Sequence, residues 1–169
     1  MSTERRAAVE LRAVGRKLEG YAATFGTSAR ISNFIETIRA GAFQASLAGD
    51  ILALVDHDMS RLLARTRSGT LRLREDARGL AFSLDVPDTT LGRDVLAMVE
   101  RHDIGGASIG FRVKDEAWPT RGRRELRAVE LIEMSVVHAH PAYPSTVVDA
   151  RARASRTCSA RARLFVETL

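Results

Sequence analysis

A glycine-rich run with a single hydroxyl at its centre constrains this chain more than any other stretch. It extends from Gly105 to Phe111 and carries Ser108 in the middle. Glycine weakens a strand interior, but it lets the backbone turn tightly or approach another group closely. The run is therefore suited to presenting a hydroxyl beside bare backbone N–H groups, which a serine nucleophile and its oxyanion require. The alternative is a bulged strand with an incidental serine.

A histidine between two carboxylates is a candidate partner for that serine. His57 follows the apolar run Ile51 to Val55, which has the length of a buried strand, and it stands between Asp56 and Asp58. At a strand end it can meet a residue distant in sequence, and histidine is the usual general base for a serine. The alternative is a surface histidine in a charged turn.

An acid in a second apolar run is a candidate third member. Glu133 lies between Leu131 and Val137 in an otherwise mostly apolar stretch. A buried acid needs a partner, and a histidine is a good one, whereas strand alternation allows Glu133 to face solvent instead. His138 and His140 stand at the spacing of two metal ligands on one face, but no cysteine or third spaced ligand accompanies them. We therefore expect no metal and no cofactor.

The apolar pattern predicts a mainly β fold with helices. Leu71 and Leu73 alternate with arginines, as expected of a half-buried antiparallel strand, and the neighbouring runs 62–67 and 80–86 complete a predicted meander. A short helix is predicted around Phe43, and a long helix from about residue 90 to His102. We expect an antiparallel barrel of about seven strands with these helices inserted.

Size and composition divide the chain into three predicted segments. The 169 residues are enough for one domain with a real core, which we place at 16–150 after a flexible segment 1–15 of frayed helix or disordered chain. The single Cys158 excludes an internal disulfide and fits a reducing cytosol. No stretch approaches the roughly 20 apolar residues of a membrane span, and the N-terminus lacks the apolar core of a signal peptide.

Positive charge is concentrated in the third segment, a basic tail at 151–169. The net charge of +5 is carried almost wholly by arginine, and positions 151–163 hold five arginines and no acid. Such a tail can touch nucleic acid or an acidic protein surface. The alternative is a solvated chain end, partly disordered or helical.

An ordered set of short stretches gives the sequence a resemblance to a known family. The stretches, in chain order, are Leu18 to Ala22, Phe43 in its predicted helix, Leu54 to Asp58, Gly106 to Phe111, Leu131 to Val137 and Pro141 to Pro144. Together they cover roughly residues 16 to 150. In this set the chain resembles the tailed-phage prohead (capsid-maturation) proteases, which are relatives of the herpesvirus assemblin serine proteases.

The resemblance implies roles for individual residues. Ser108 matches the family's nucleophile and His57 its base. Assemblins use a second histidine as third member, whereas the phage branch places an acid there, which favours Glu133 over His138 and then Asp58. The oxyanion would be held by backbone N–H groups near Gly110 or by an arginine, and the candidates are Arg123 and Arg124. The implied fold is a barrel of the herpesvirus-protease type.

The resemblance also implies partners and a location. The expected substrates are the scaffold segment of the major capsid protein and the protease itself, cleaved inside the assembling prohead in the host bacterial cytoplasm. Self-cleavage would make the basic tail disposable. A homodimer is possible by analogy with the assemblins, no membrane partner is expected, and nucleic acid would bind only through the tail. The rival hypotheses are a non-catalytic capsid- or scaffold-binding module on the same fold and a basic nucleic-acid-binding protein.

Overall fold

The fold consists of two β-sheets and one α-helix. It is given by a computed structural model that describes residues 3–8, 10–104 and 106–138. The strands, numbered in chain order, are β1 Glu4–Ala8, β2 Glu10–Val14, β3 Lys17–Thr24, β4 Ala29–Ile31, β5 Phe34–Ile38, β6 Leu52–Val55, β7 Asp58–Arg65, β8 Leu71–Glu75, β9 Gly79–Asp85, β10 Gly106–Thr120 and β11 Arg123–Val137. The helix α1 is Thr90–Glu100, and Gln44–Ser46 form a single 3-10 turn.

A long hairpin of β10 and β11 forms the centre of the larger sheet. The two strands are joined through Arg121 and Gly122, and Gly122 takes a positive φ of 80° that suits glycine at a tight turn. The outer edge of β10 pairs with β1 in antiparallel fashion. The outer edge of β11 pairs first with β5 and then with β6, both parallel, so one long strand organises most of the sheet.

The parallel pairing of β6 with β11 determines where the chain turns next. Leu52 lies opposite Glu133 and Val55 opposite Val136. Because parallel strands end at the same edge, the loop after β6 arrives at the C-terminal end of β11. The residues of β6 are apolar and mostly fully buried, which fits a strand covered on both faces.

The smaller sheet has the order β2-β3-β9-β8 and packs with α1 and the larger sheet around one core. Leu18 and Leu84 come from this sheet, Val95 from the helix, and Ile109 and Met134 from the central hairpin. Each of these five side chains is fully buried. The helix begins where the sequence predicts, because the hydroxyl of Thr89 accepts a hydrogen bond from the Gly92 N–H at 3.1 Å.

The mainly β class is confirmed, but the seven-stranded antiparallel barrel is not. The described residues form a mixed sheet of seven strands and a separate antiparallel sheet of four. The strand β7 pairs with β6 and not with β8, so the predicted meander is divided between the two sheets. Alternation predicts which face of a strand is buried, but it does not predict which strand is the neighbour.

Two local predictions also differ from the structure. Glu4–Ala8 and Glu10–Val14 are strands where the sequence predicted a frayed helix or disordered start, because both find open edges to pair with. The predicted short helix is only the 3-10 turn. The tail at 151–169 lies outside the described residues, and the domain limits stay a prediction.

Candidate active site

The turn between β6 and β7 presents His57 in an unusual backbone conformation. Val55 pairs with Asp58, so the loop consists of Asp56 and His57 alone, with φ values of 52° and 64°. Positive φ at both central residues is the signature of a type I′ turn, which normally takes Asn or Gly. For other residues this region costs of order 1 kcal/mol or more, and it persists only where the surroundings hold it.

The end of β11 and the adjoining His138 hold this turn in place through backbone and side-chain hydrogen bonds. The Asp56 N–H donates to the Val136 carbonyl at 2.9 Å, and the His57 N–H donates to the Ser135 hydroxyl at 3.1 Å. The Asp56 carboxylate accepts from the His138 N–H at 3.0 Å and also contacts the His138 ring at Nδ1. These bonds fix the direction of the His57 side chain relative to β11.

His57 and Glu133 form a buried, hydrogen-bonded pair. His57 Nδ1 lies 2.7 Å from Glu133 Oε1, and the two side chains are only 7% and 6% exposed. The other carboxylate oxygen of Glu133 accepts from the Ser135 hydroxyl at 2.6 Å. A carboxylate at Nδ1 favours the tautomer with its proton there, which leaves Nε2 as the proton-accepting nitrogen.

Ser108 lies on the sheet face that carries this pair. It is directly opposite Ser135 in the register, and Gly110 is opposite Glu133. Because side chains alternate along a strand, Ser108 and Gly110 share a face with Ser135 and Glu133. A Cβ at Gly110 would lie 2.1 Å from Glu133 Oε1, so only glycine leaves room for the carboxylate. Ser108 itself has no exposed surface.

The two alternative third members have other partners. The ring of His138 contacts Asp56, as described above, at the edge of the site. The Asp58 carboxylate accepts from the hydroxyl and the backbone N–H of Ser60, and these bonds hold the pKa of Asp58 below its ordinary value. Glu133, in contrast, contacts the His57 ring directly.

The candidate oxyanion arginines lie near the other end of the hairpin. Arg123 is exposed and pairs with Thr120 beside the turn. The Arg124 guanidinium donates to Glu4 at 2.9 and 3.0 Å and to Glu36 at 3.0 Å, and it also contacts Glu116. Burial opposes its charge, but the surrounding carboxylates outweigh burial and raise the pKa of Arg124. A cation held in this way is poorly suited to receiving a transient oxyanion.

Sequence reasoning missed Ser135 and the role of Asp56. Ser135 follows Glu133 by two positions, the spacing that puts two strand residues on one face, so alternation was an available signal. Asp56 was noted only as a neighbour of His57. Its positive φ and its contact with His138 depend on tertiary structure and leave no trace in the local sequence.

The described part of the chain holds neither a candidate metal site nor a membrane-spanning helix. Over residues 3–8, 10–104 and 106–138, no group of three or more His, Cys, Asp and Glu side chains is arranged to hold a metal ion. His140 lies outside these ranges. Within the same ranges, no helix has the length and apolar character needed to cross a membrane.

Comparison with protein families identifies the family to which this chain belongs. The model of the caudovirus prohead serine proteases matches residues 4–160, which is most of the chain. The chain belongs to that family. The resemblance noted in the sequence is thereby confirmed, and this prohead protease is a serine protease with a role in capsid maturation.

A solved structure agrees with this assignment at the level of the fold. The prohead protease is similar to the bacteriophage T4 capsid assembly protease, gp21, with a TM-score of 0.53 over 82% of this chain and 96% of that one. The sequences are only 10% identical, so the likeness concerns the fold alone. No curated protein matches the sequence.

Proposed function

We propose that this prohead protease cleaves peptide bonds with Ser108 as nucleophile, His57 as general base and Glu133 as the group that orients the histidine. The observation that carries the proposal is the 2.7 Å contact between His57 Nδ1 and Glu133 Oε1, on the face of β11 that lies opposite Ser108. A serine, a histidine and an acid related in this way form the constellation of a serine hydrolase.

The mechanism uses Nε2, the ring nitrogen of His57 on the side away from the Glu133 contact at Nδ1. His57 Nε2 takes the proton of Ser108 as Oγ attacks the peptide carbonyl, and a tetrahedral intermediate forms. The imidazolium then gives that proton to the leaving amine, and the peptide C–N bond breaks. Water, deprotonated by the same nitrogen, hydrolyses the acyl-enzyme and releases Ser108.

Glu133 and Ser135 would hold the imidazole of His57 in the orientation and tautomer that both steps need. The carboxylate holds the proton on Nδ1 and stabilises the imidazolium while it exists. The Ser135 hydroxyl occupies the second oxygen of Glu133 and accepts from the backbone of His57, so it ties the acid and the turn together. We assign the oxyanion site to backbone N–H groups of β10 near Gly110, because Arg124 is engaged by carboxylates.

The substrates that fit a prohead protease are the scaffold segment of the major capsid protein and the protease's own termini. Cleavage would take place inside the assembling prohead in the bacterial host. The gp21 likeness supports a capsid substrate, since that protein is described as a capsid assembly protease. An assemblin-like homodimer and removal of the basic tail belong to the same proposal.

Co-expression with the major capsid protein, the proposed substrate, tests this function. We expect the wild-type chain to shorten the capsid protein or itself, as read by intact mass, and Ser108→Ala to leave both at full length. Ser83→Ala, at a half-buried serine on β9, is the matched control and should behave as wild type. Full-length proteins with both wild type and Ser108→Ala would contradict the proposal and favour a non-catalytic capsid-binding module, and equal cleavage by both would exclude Ser108 as the nucleophile.

A further inference from the structure

The N-terminal strand lies against the strand that carries the proposed nucleophile. Strand β1 pairs antiparallel with β10 along its outer edge, and Ala7 is directly opposite Ser108. Ala8 and Arg6 lie opposite the residues on either side, Ala107 and Ile109. The edge of β10 beside Ser108 is thus occupied by a segment of the chain itself.

An extended peptide could be cleaved from the same position. Peptides often bind by adding a strand to an open sheet edge, where main-chain hydrogen bonds supply the affinity. In an antiparallel pair, directly opposite Cα atoms are about 4.5–5.5 Å apart, close enough to bring a backbone carbonyl to a serine hydroxyl. A substrate strand on β10 would therefore present its peptide bond to Ser108, but β1 has to leave first.

The burial of Ser108 agrees with an occupied site. The residue has no exposed surface, although the proposed function requires its hydroxyl to attack a peptide from another segment or chain. The strand β1 is suited to leaving, because it is five residues long and lies at the end of the sheet order. The next strand, β2, pairs with β3 in the other sheet and would keep the chain attached.

A side-chain contact holds β1 at its first residue. Both oxygens of Glu4 accept from Arg124, at 2.9 and 3.0 Å, in the paired geometry that makes arginine–carboxylate contacts strong. Arg124 is only 10% exposed, and it keeps Glu36 and Glu116 as partners when Glu4 moves away. The contact can thus open without leaving the guanidinium unpaired.

We propose that the outer edge of β10 is the docking edge for an extended substrate peptide, and that β1 covers this edge in the free enzyme as an internal substitute strand. The inference rests on the proposed function of Ser108. Binding of substrate and pairing of β1 exclude each other, so the population with β1 released determines the apparent affinity for substrate.

Variants that release β1 test the proposal in the full chain. Glu4→Gln weakens the contact with Arg124. Arg5→Pro combined with Arg6→Pro removes a ladder hydrogen bond, because neighbouring N–H groups of an edge strand point alternately toward and away from the partner. Glu116→Gln, which removes a carboxylate of β10 from the same arginine, is the matched control. We expect kcat/KM for labelled casein, an unstructured protein, to rise about tenfold in the proline variant and less in Glu4→Gln. Glu116→Gln should match wild type.

A reversible lock provides the opposite test without disturbing the strand. Ala8→Cys with Ala107→Cys, in a Cys158→Ser background, places two thiols at directly opposite positions whose expected Cα separation suits a disulfide. We expect the oxidised enzyme to lose casein cleavage and to regain it on reduction. Full cleavage by the oxidised form, with the disulfide verified by mass, would overturn the proposal.

Labelling by a fluorophosphonate tests the reactivity of Ser108 separately from the role of β1. The probe bonds to a reactive serine and releases fluoride, and its end-point stoichiometry at Ser108 reports the nucleophile whatever the rate. Labelling at Ser108 with no change of casein cleavage in the proline variant or the lock would reject the role of β1 and leave the proposed function standing. No labelling of Ser108 in any variant would reject both.

Discussion

The contact between His57 and Glu133 depends on the absence of a side chain at Gly110. Gly110 faces Glu133 across the central hairpin, and the space that its Cβ would fill is taken by the carboxylate oxygen that contacts His57. The adjacent turn holds His57 and Asp56 at positive φ, where the bonds to β11 compensate for the strain. The proposed site therefore requires a glycine at position 110 and positive φ angles at Asp56 and His57.

The first prediction concerns Gly110→Ala. The added Cβ would lie 2.1 Å from Glu133 Oε1, so we expect the carboxylate to move away from His57 and kcat to fall by a hundredfold or more, with a stability loss of about 1–3 kcal/mol. Gly79→Ala is the control, because its Cβ meets the Ala23 carbonyl at 2.1 Å in the smaller sheet. It should lower stability and leave kcat unchanged, as measured by urea unfolding and peptide cleavage. Equal effects on kcat would argue against a special role for Gly110.

The second prediction concerns Glu133→Gln. An amide of the same shape no longer favours the proton on Nδ1 or stabilises the imidazolium, so kcat should fall by about 10³- to 10⁴-fold with KM nearly unchanged. Glu130→Gln, on the same strand but paired with Lys114 at the surface, should retain wild-type kinetics. A Glu133→Gln enzyme with more than a tenth of wild-type kcat would exclude Glu133 as the orienting acid.

Single residues of the site were predictable where residue type and position indicated chemistry. A serine among glycines, a histidine at a strand end and an acid in an apolar strand all indicated Ser108, His57 and Glu133, and the structure brings the latter two into contact. Ser135 was missed because a serine in a strand has no distinctive chemistry by itself. The sequence could not exclude Arg124 as an oxyanion candidate, because its carboxylate partners lie on three other strands and are not apparent from the local sequence.

Among the elements, β11 does the most to build the proposed site. It carries Glu133 and pairs with β10, which carries Ser108, on one edge and with β6, which leads into the turn that carries His57, on the other. The sequence predicted the buried strand β6 and helix α1, whose patterns are local. It did not predict that β6 runs parallel to β11, because that pairing joins residues about 80 positions apart and depends on the whole sheet.

The third prediction concerns the start of α1. Thr89→Ala removes the hydroxyl that accepts from Gly92 N–H, so the free energy of unfolding should fall by about 1 kcal/mol. The helix is remote from the His57–Glu133 contact along the chain and packs through Val95 and Val99, so kcat should be unchanged. Urea unfolding and peptide cleavage measure the two effects. Thr90→Ala is the control, and a stability loss as large as that of Thr89→Ala would contradict the capping assignment.

At the scale of the whole molecule, one buried cation connects the N-terminal strand to the rest of the larger sheet. Arg124 of β11 holds Glu4 of β1, Glu36 of β5 and Glu116 of β10. Glu36 is only 2% exposed, so the ion pair with Arg124 compensates for the removal of its carboxylate from water. The cluster therefore contributes to the assembly of the sheet, and it is separate from the His57–Glu133 contact near the other end of β11.

The fourth prediction separates a structural role of Arg124 from a catalytic one. Arg124→Met leaves the buried Glu36 without this cation, so the free energy of unfolding should fall by about 3 kcal/mol. The kcat of the folded enzyme should not fall, because the proposed mechanism gives the guanidinium no catalytic role. Arg127→Met, which removes a surface pair with Glu125, should change neither quantity measurably. A fall in kcat without loss of stability would restore Arg124 as an oxyanion donor.

The proposed function depends above all on the reactivity of Ser108 as a nucleophile. The mass of one tryptic peptide measures that reactivity. Trypsin releases residues 102–112 as a fragment in which Ser108 is the only hydroxyl-bearing residue. After treatment with a fluorophosphonate, we expect an adduct on this fragment in the wild-type enzyme, little adduct in His57→Ala, and none in Ser108→Ala. An adduct on another serine, or equal labelling of the fragment in wild type and His57→Ala, would contradict this expectation.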